Sequence, residues 1–273
     1  MSVFSLSVDY LIAHRSLGGL ERLGKLGDRM PIVLRIDHDN AYVTLGSSFL
    51  IRKVKLCLNW LNENLIAPHI NFLGYCEALK IFTEYLVELG VRGTIFFKYI
   101  TVPKGELAKR LLNEGFEVGL HLYSATSFEG FLKEKGVIER TFNTTILGFS
   151  KHGDGFLKTS RKHAWRYEPE KYVRWGLRAG LRYFSGNIHD VIAKPIKYNG
   201  FVHIPQVLYV EPWARRVRVD IKPAAEYAER GHLVVALIHP RNWILFESAR
   251  REFERMIDSV SKFFTFKEVL NYL

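Results

Sequence analysis

The stretch from Ile32 to Asn40 constrains the fold more than any other part of this chain. An apolar run bounded by Pro31 leads directly into Asp37, His38 and Asp39. Such a run is typical of a buried strand, and the carboxyl ends of parallel strands are where catalytic residues collect. Two carboxylates at that position favour a metal site, or a general base beside a metal. The structural alternative is that Asp39 caps the following turn and Asp37 pairs with an arginine.

Further apolar runs alternate with amphipathic helices along the rest of the chain. Strands are predicted at 93–97, 117–122, 145–149, 181–184 and 233–238, and helices at 79–89, 105–113, 128–142, 168–179, 223–230 and 253–260. This alternation predicts βαβ units and an α/β fold with a parallel sheet or barrel. The segment 201–210 reads as extended, but Pro205 argues against a central strand.

The chain shows neither an internal repeat nor a linker, which predicts one domain over 1–273. Residues 1–30 form an N-terminal extension in this interpretation, and an insertion lies around 41–73. Within the insertion, residues 51–61 are consistent with an amphipathic helix that has a basic face. Such a helix suits a membrane surface, a substrate cleft or an ordinary surface position.

Composition limits the classes of partner. The 273 residues are 48% hydrophobic and 25% charged, as in a soluble globular protein, and carry a net charge of +11. That charge suits a polyanionic partner or surface. Because the basic residues are spread along the chain and no zinc-finger or RNA-binding motif is present, nucleic acid is not expected as a partner. No glycine-rich phosphate-binding motif follows a strand, which disfavours dinucleotide and ATP chemistry.

Cys57 and Cys76 are the only cysteines and form neither a disulfide framework nor a metal-binding pattern, which favours a reducing compartment. The first residues lack a convincing signal peptide, and no apolar stretch reaches the roughly 18 residues that a membrane span requires. The sequence therefore predicts a cytoplasmic protein, at most in peripheral contact with the inner face of the membrane.

Four predicted strands end in residues that suit a metal site. The first ends at Asp37 and Asp39, and later ones lead to His121, His152 and His239. A lone histidine beside a strand is usually structural, but a barrel brings successive strand ends together. One aspartate with two imidazoles makes an open site of the zinc type, which is also compatible with nickel, cobalt or iron.

The order of these motifs resembles that of the polysaccharide deacetylases, metal-dependent esterases that remove N- or O-acetyl groups from sugars. The resemblance covers roughly residues 30–245 and rests on four segments: Ile36–Asp39, Gly93–Phe97, Gly115–His121 and Ala236–His239. It implies an irregular (β/α) barrel of about seven strands. It also implies that Asp37 is the general base, that Asp39 and His121 are metal ligands, and that His239 is the general acid.

The sequence departs from the family pattern at two positions. Ala125 stands where the family has a second ligand histidine, and Ser150 stands where it has an arginine that orients the base. We predict that His152 replaces the missing ligand. Lys151 or Arg161 is the predicted replacement for the arginine.

Aromatic residues just past the strand ends are candidates to stack on a sugar. Trp243, four residues after His239, is the strongest of these, and Tyr123 and Lys151 complete the predicted substrate-binding set. The preferred function is hydrolysis of an acetyl group from an N-acetylated sugar or glycan precursor. The alternative is an inactive protein of the same fold that binds glycan, which Ala125 and Ser150 favour.

Overall fold

The computed structural model describes residues 32–42, 49–61, 74–153, 168–215, 220–260 and 262–273. The predicted N-terminal extension 1–30 and Arg161 lie outside these residues. The described part of the insertion around 41–73 contains a helix, α1 (Phe49–Leu61), as predicted.

Strands and helices alternate through most of the described chain. The strands are β1 (Ile32–His38), β2 (Thr94–Phe97), β3 (Glu117–Leu122), β4 (Gly148–Lys151), β5 (Tyr183–His189), β6 (Ile196–Tyr198), β7 (Phe201–Tyr209), β8 (Val234–Ile238) and β9 (Phe263–Phe264). The helices after α1 are α2 (Glu77–Glu88), α3 (Glu106–Asn113), α4 (Phe128–Phe142), α5 (Pro169–Arg178), α6 (Ile221–Glu229), α7 (Pro240–Leu245), α8 (Glu247–Ser259) and α9 (Phe266–Val269). A short 3-10 helix, Pro212–Ala214, follows β7. None of the described helices is long and apolar enough to span a membrane.

Seven parallel strands close into a barrel in the order β1, β2, β3, β4, β5, β7, β8 and back to β1. β9 pairs with the first residues of β1, and β6 pairs antiparallel with β7. The predicted fold class, an irregular (β/α) barrel of about seven strands, is confirmed. Because the barrel strands are parallel, their carboxyl ends meet at one end of the molecule.

The expectation that Pro205 excludes a central strand is wrong, because β7 lies between β5 and β8 in the barrel. The reason is a bulge. β5 pairs with β7 up to Ser185 and Ile204 and resumes at Ile188 and Gln206, so Pro205 lies opposite an irregular stretch of β5. A proline without a ladder hydrogen bond to donate is tolerated at such a position.

Alternate residues of the barrel strands pack in two separate layers. In β1, Ile32, Leu34 and Ile36 face the helices, whereas Val33 belongs to a cluster inside the barrel. Arg35 and Asp37 follow Val33 on the same face, because side chains two apart on a strand point the same way. The barrel interior is therefore apolar near the start of β1 and charged toward the end of the strand.

Candidate metal centre

Three side chains from three different strand ends converge on one point. Oδ1 of Asp39, just after β1, lies 2.8 Å from Nε2 of His121 and 3.0 Å from Nδ1 of His152. The two imidazole nitrogens are 3.0 Å apart. His121 belongs to β3, and His152 comes directly after β4. The structure thus brings together the three predicted ligands in an arrangement that can hold a metal ion.

Ser150 orients His121. It lies on β4 opposite His121, fully buried, with its hydroxyl oxygen 2.6 Å from Nδ1. A ring that donates from Nδ1 to this oxygen keeps the Nε2 lone pair available to a metal. Ser150 stands where the resemblance implies an arginine, and here it contacts a predicted ligand instead.

The loop that carries His152 is held by Asn187. Nδ2 of Asn187, which lies in the bulge of β5, donates to the carbonyls of Lys151 and Gly153 at 2.6 and 2.9 Å. Burial lowers the pKa of His152 to about 3 although the Asp39 charge opposes this. The ring is therefore neutral at pH 7, which is the form that ligates metals. Burial raises the pKa of Asp39, but His152 and His121 hold it well below its usual range.

Asp37 lies beside the three donor atoms and is clamped by Arg35. Its Oδ2 is 3.7 Å from Nε2 of His121. Arg35 donates from Nε and Nη2 to the two carboxylate oxygens at 2.9 and 2.7 Å. Burial alone would raise the pKa of Asp37, but the Arg35 guanidinium, with His121, keeps it below its usual value. Asp37 is therefore a buried carboxylate whose ionised form is stabilised by Arg35.

Arg35 is itself fixed by β5. Its Nη1 donates to the hydroxyl of Ser185 at 3.1 Å and to the carbonyl of Gly186 at 2.7 Å, and the side chain is fully buried. The prediction that Lys151 orients the base is wrong, since its Nζ donates to the carbonyl of His152 at 2.7 Å. Because Arg35 and Asp37 share a face of one strand, the i, i+2 spacing was the sequence signal for this pair.

His239 lies at the end of β8. It contacts the carboxylate oxygen of Asp39 that does not face His121 and His152. Its Nε2 is 3.3 Å from Oδ2 of Asp39, and its Nδ1 is 2.7 Å from Oε1 of Glu211. Glu211 is fully buried and also accepts from the backbone N–H of His239 at 2.9 Å. Burial lowers the pKa of His239, but Glu211 and Asp39 more than offset this and raise it well above its usual value. Glu211 and Asp39 thus favour the protonated form of the ring, and the His239 side chain is 18% exposed.

The segment that carries Glu211, just after β7, is held in place by Arg215. Nε of Arg215 donates to the carbonyl of Tyr209 and its Nη2 to that of Val210, each at 2.7 Å. Arg215 also pairs with Glu252 at 2.8 Å. Arg215 thus anchors the chain on either side of Glu211.

The three residues predicted to contact substrate are buried. Trp243 is 7% exposed and packs on Phe82 and Tyr85, so it belongs to the core and cannot stack on a sugar. Tyr123, 3% exposed, packs edge-on against His152. Lys151 is 2% exposed, and burial lowers its pKa to about 8. The prediction for Trp243 is therefore wrong, while Tyr123 and Lys151 support the site without facing solvent.

Comparisons with known proteins found similarity to solved structures only at low sequence identity. No protein-family model and no curated protein matches this chain. A wild-type CE4 family pseudoenzyme from Bacillus anthracis is similar at 14% identity and a TM-score of 0.46, over 89% of this chain and 66% of the other.

Two further structures come from enzymes. A family 4 acetyl xylan esterase from Clostridium thermocellum, solved with a cobalt ion, is 14% identical with a TM-score of 0.43 over 88% of this chain and 90% of the other. The catalytic domain of a peptidoglycan N-acetylglucosamine deacetylase from Eubacterium rectale is 10% identical with a TM-score of 0.45, over 88% and 92%. These three structures thus comprise two deacetylating enzymes and a pseudoenzyme, all at low sequence identity to this chain.

Proposed function

We propose that this protein is a metal-dependent hydrolase that removes an acetyl group from an N-acetylated sugar or glycan precursor. The observation that carries the proposal is the convergence of Asp39, His121 and His152 within 3.0 Å, beside a clamped carboxylate. The order of the sequence motifs supports acetylated sugar as the substrate class. A cytoplasmic location and zinc as the metal stay predictions.

The donor set fits a divalent metal. Ligand atoms about 2.1 Å from a tetrahedral zinc lie about 3.4 Å from one another. The three donor atoms here are 2.8–3.0 Å apart, so they need only a small outward movement to meet this geometry. The side chain of Asp39 is 29% exposed, which leaves one side of the site open to water and substrate. An open position of this kind is typical of catalytic metal sites.

Each remaining polar group of the site has a chemical role in this proposal. A bound metal would supply Lewis acidity toward the acetyl carbonyl and make a water more acidic. Asp37 takes the proton of the attacking water, and Arg35 holds the carboxylate in position for this. Protonated His239 donates to the departing nitrogen, and Glu211 fixes its ring. Proton transfers of this kind each typically contribute about 100-fold to 10,000-fold in rate.

Metal content, measured together with activity, tests the proposal. Protein purified without an affinity tag is analysed by elemental mass spectrometry and assayed on N-acetyl sugars after addition of Zn, Co or Ni. We expect one metal per chain, lost in His121→Ala and in His152→Ala, together with release of acetate. Lys171→Ala, a change to a half-exposed helix residue that pairs with Glu168, is the matched control and should retain both.

Two results would contradict parts of the proposal. Full metal occupancy in His152→Ala would show that this residue is not the third ligand. Wild-type protein that takes up no metal and releases no acetate would favour the alternative, a barrel that binds glycan without turnover. Glycan binding by that metal-free protein, measured by calorimetry, would then establish the alternative.

A further inference from the structure

Helix α1 presents a stripe of apolar side chains to solvent. Leu50, Ile51, Val54 and Leu58 are 73%, 51%, 55% and 42% exposed. With 3.6 residues per turn, these four side chains fall within an arc of about 100° on the helix surface. The other large apolar side chains that are exposed in the described residues are distributed over different elements. A contiguous exposed patch of this kind marks an interaction surface.

The charges of α1 identify the kind of surface that would cover this stripe. The helix contains Arg52, Lys53 and Lys55 and no acidic residue. On the helical projection, Lys53 lies beyond one edge of the apolar arc. A short helix with an exposed apolar face, basic residues and no acidic ones is the pattern of a segment that lies in a membrane interface, where the apolar face enters the acyl boundary and the charges meet anionic headgroups.

The position of α1 in the chain limits its distance from the barrel. Only residues 43–48 separate Tyr42, which follows the end of β1, from the start of α1. Since an extended chain spans at most about 3.5 Å per residue, α1 begins within about 25 Å of Tyr42. A surface that holds α1 would therefore lie close to the barrel.

We infer that α1 docks this protein on an anionic lipid bilayer. The charge of the whole chain, +11, favours the same partner. A second copy of the chain fits less well, because two α1 helices packed against each other would bring six basic and no acidic residues together. The inference is independent of metal binding and of deacetylation, so its failure would leave the proposed function intact.

Sedimentation with lipid vesicles tests the inference. Full-length protein is mixed with vesicles of phosphatidylcholine alone, or of equal parts phosphatidylcholine and phosphatidylglycerol. We expect binding to the mixed vesicles that weakens with salt, and little binding to the neutral ones. Val54→Glu combined with Leu58→Glu should weaken binding at least about tenfold. Lys53→Gln should weaken it by about fivefold, the effect of one charge at an anionic surface.

The matched control is Leu132→Glu combined with Leu177→Glu. These leucines, on α4 and α5, are 41% and 38% exposed and undergo the same chemical change away from α1. Vesicle binding should be unchanged in this variant. Equal loss in both double variants, or no vesicle binding by the wild-type protein, would overturn the inference. A dimer in solution that the α1 variant converts to monomer, without vesicle binding, would overturn it in favour of a self-association surface.

Discussion

At the scale of single residues, the site depends on two buried acid–base pairs. Arg35 clamps Asp37 from within β1, and Glu211 holds His239 from the neighbouring strand end. In each pair the partner fixes both the position and the charge of the functional group. Neither partner touches the three converging ligand atoms, so metal binding and proton transfer can be perturbed separately.

The substitution Asp37→Asn separates the two. The amide keeps the shape of the side chain but cannot accept a proton from water at neutral pH. We expect the variant to retain its metal and to lose about 100-fold to 10,000-fold in turnover. Metal content by mass spectrometry and acetate release check the two halves of this prediction. Wild-type turnover by Asp37→Asn would rule out its role as the base.

Because Arg35 and Asp37 form one buried ion pair, we expect the losses of unfolding free energy in their variants to be non-additive. Arg35→Met removes one partner and leaves a buried carboxylate without its cation, which typically costs about 3–5 kcal/mol. Arg35→Met combined with Asp37→Asn removes both charges, so it should recover much of that loss. Denaturant unfolding of the two single variants and the double variant measures the coupling. Additive losses would mean that the pair does not act as a unit.

At the scale of elements, the sequence pattern predicted where strands and helices lie better than it predicted which strands pair with one another. The bounds of β3 and α4 agree with the prediction, because local signals define them: an apolar run for β3, and the Ser127 cap and left-handed Asn143 at the two ends of α4. β4 was predicted three residues too early, and β5 is longer than expected. Pro205 led to the rejection of β7 as a barrel strand, and this hid Glu211, which would otherwise have stood at a strand end. The bulge in β5 that accommodates the proline is a property of the paired strand and cannot be predicted from the segment itself.

Because β4 packs closely against β5, we expect one methyl group added at Gly148 to lower stability strongly. A Cβ added at Gly148 would lie 2.2 Å from the ring of Tyr183, which is fully buried inside the barrel. Gly148→Ala should therefore lower the free energy of unfolding by about 1–3 kcal/mol or more. Gly136→Ala in α4 is the control, since its nearest neighbour is the flexible guanidinium of Arg140; it should be neutral or stabilising by about 0.5–1 kcal/mol. Chemical denaturation distinguishes the two, and equal stability would contradict the packing argument.

Glu117 connects β3 to β2, β5 and α9 through hydrogen bonds. We expect it to make the stability of the protein depend on pH. It accepts from the Thr94 and Tyr183 hydroxyls at 2.7 and 2.9 Å and from the backbone N–H of Lys267 at 2.8 Å. Burial raises its pKa more than these hydrogen bonds lower it. The folded state therefore holds the proton more tightly than the unfolded state, and stability falls as pH rises from about 4.5 through the raised pKa. Glu117→Gln should flatten this slope in unfolding curves recorded across that range; an unchanged slope would assign it to another group.

At the scale of the whole molecule, barrel closure is what assembles the candidate site. Asp39, His121 and His152 lie in separate parts of the sequence and could be grouped only by assuming that parallel strand ends meet. That assumption was sufficient to group these three side chains, because each lies at or just past the end of a strand. It was not sufficient for Trp243, which was predicted to stack on a sugar because it lies four residues after His239. Only the packing of α7 against α2 shows that this side chain turns into the core.

Because the three proposed ligands come from different parts of the barrel, metal binding should stabilise the entire fold. An ion that binds only the folded state adds about 4 kcal/mol when its free concentration is about 1,000 times its dissociation constant. We therefore expect zinc or cobalt to raise the melting temperature of metal-free protein, and His152→Ala to abolish most of that rise. Calorimetric melting with and without chelator measures the effect. Asp37→Asn, which removes a charge beside the ligands without removing a ligand, should still respond to metal. Stabilisation that persists undiminished in His152→Ala would place the metal elsewhere in the molecule, since a site assembled by barrel closure cannot lose one of three ligands without losing affinity.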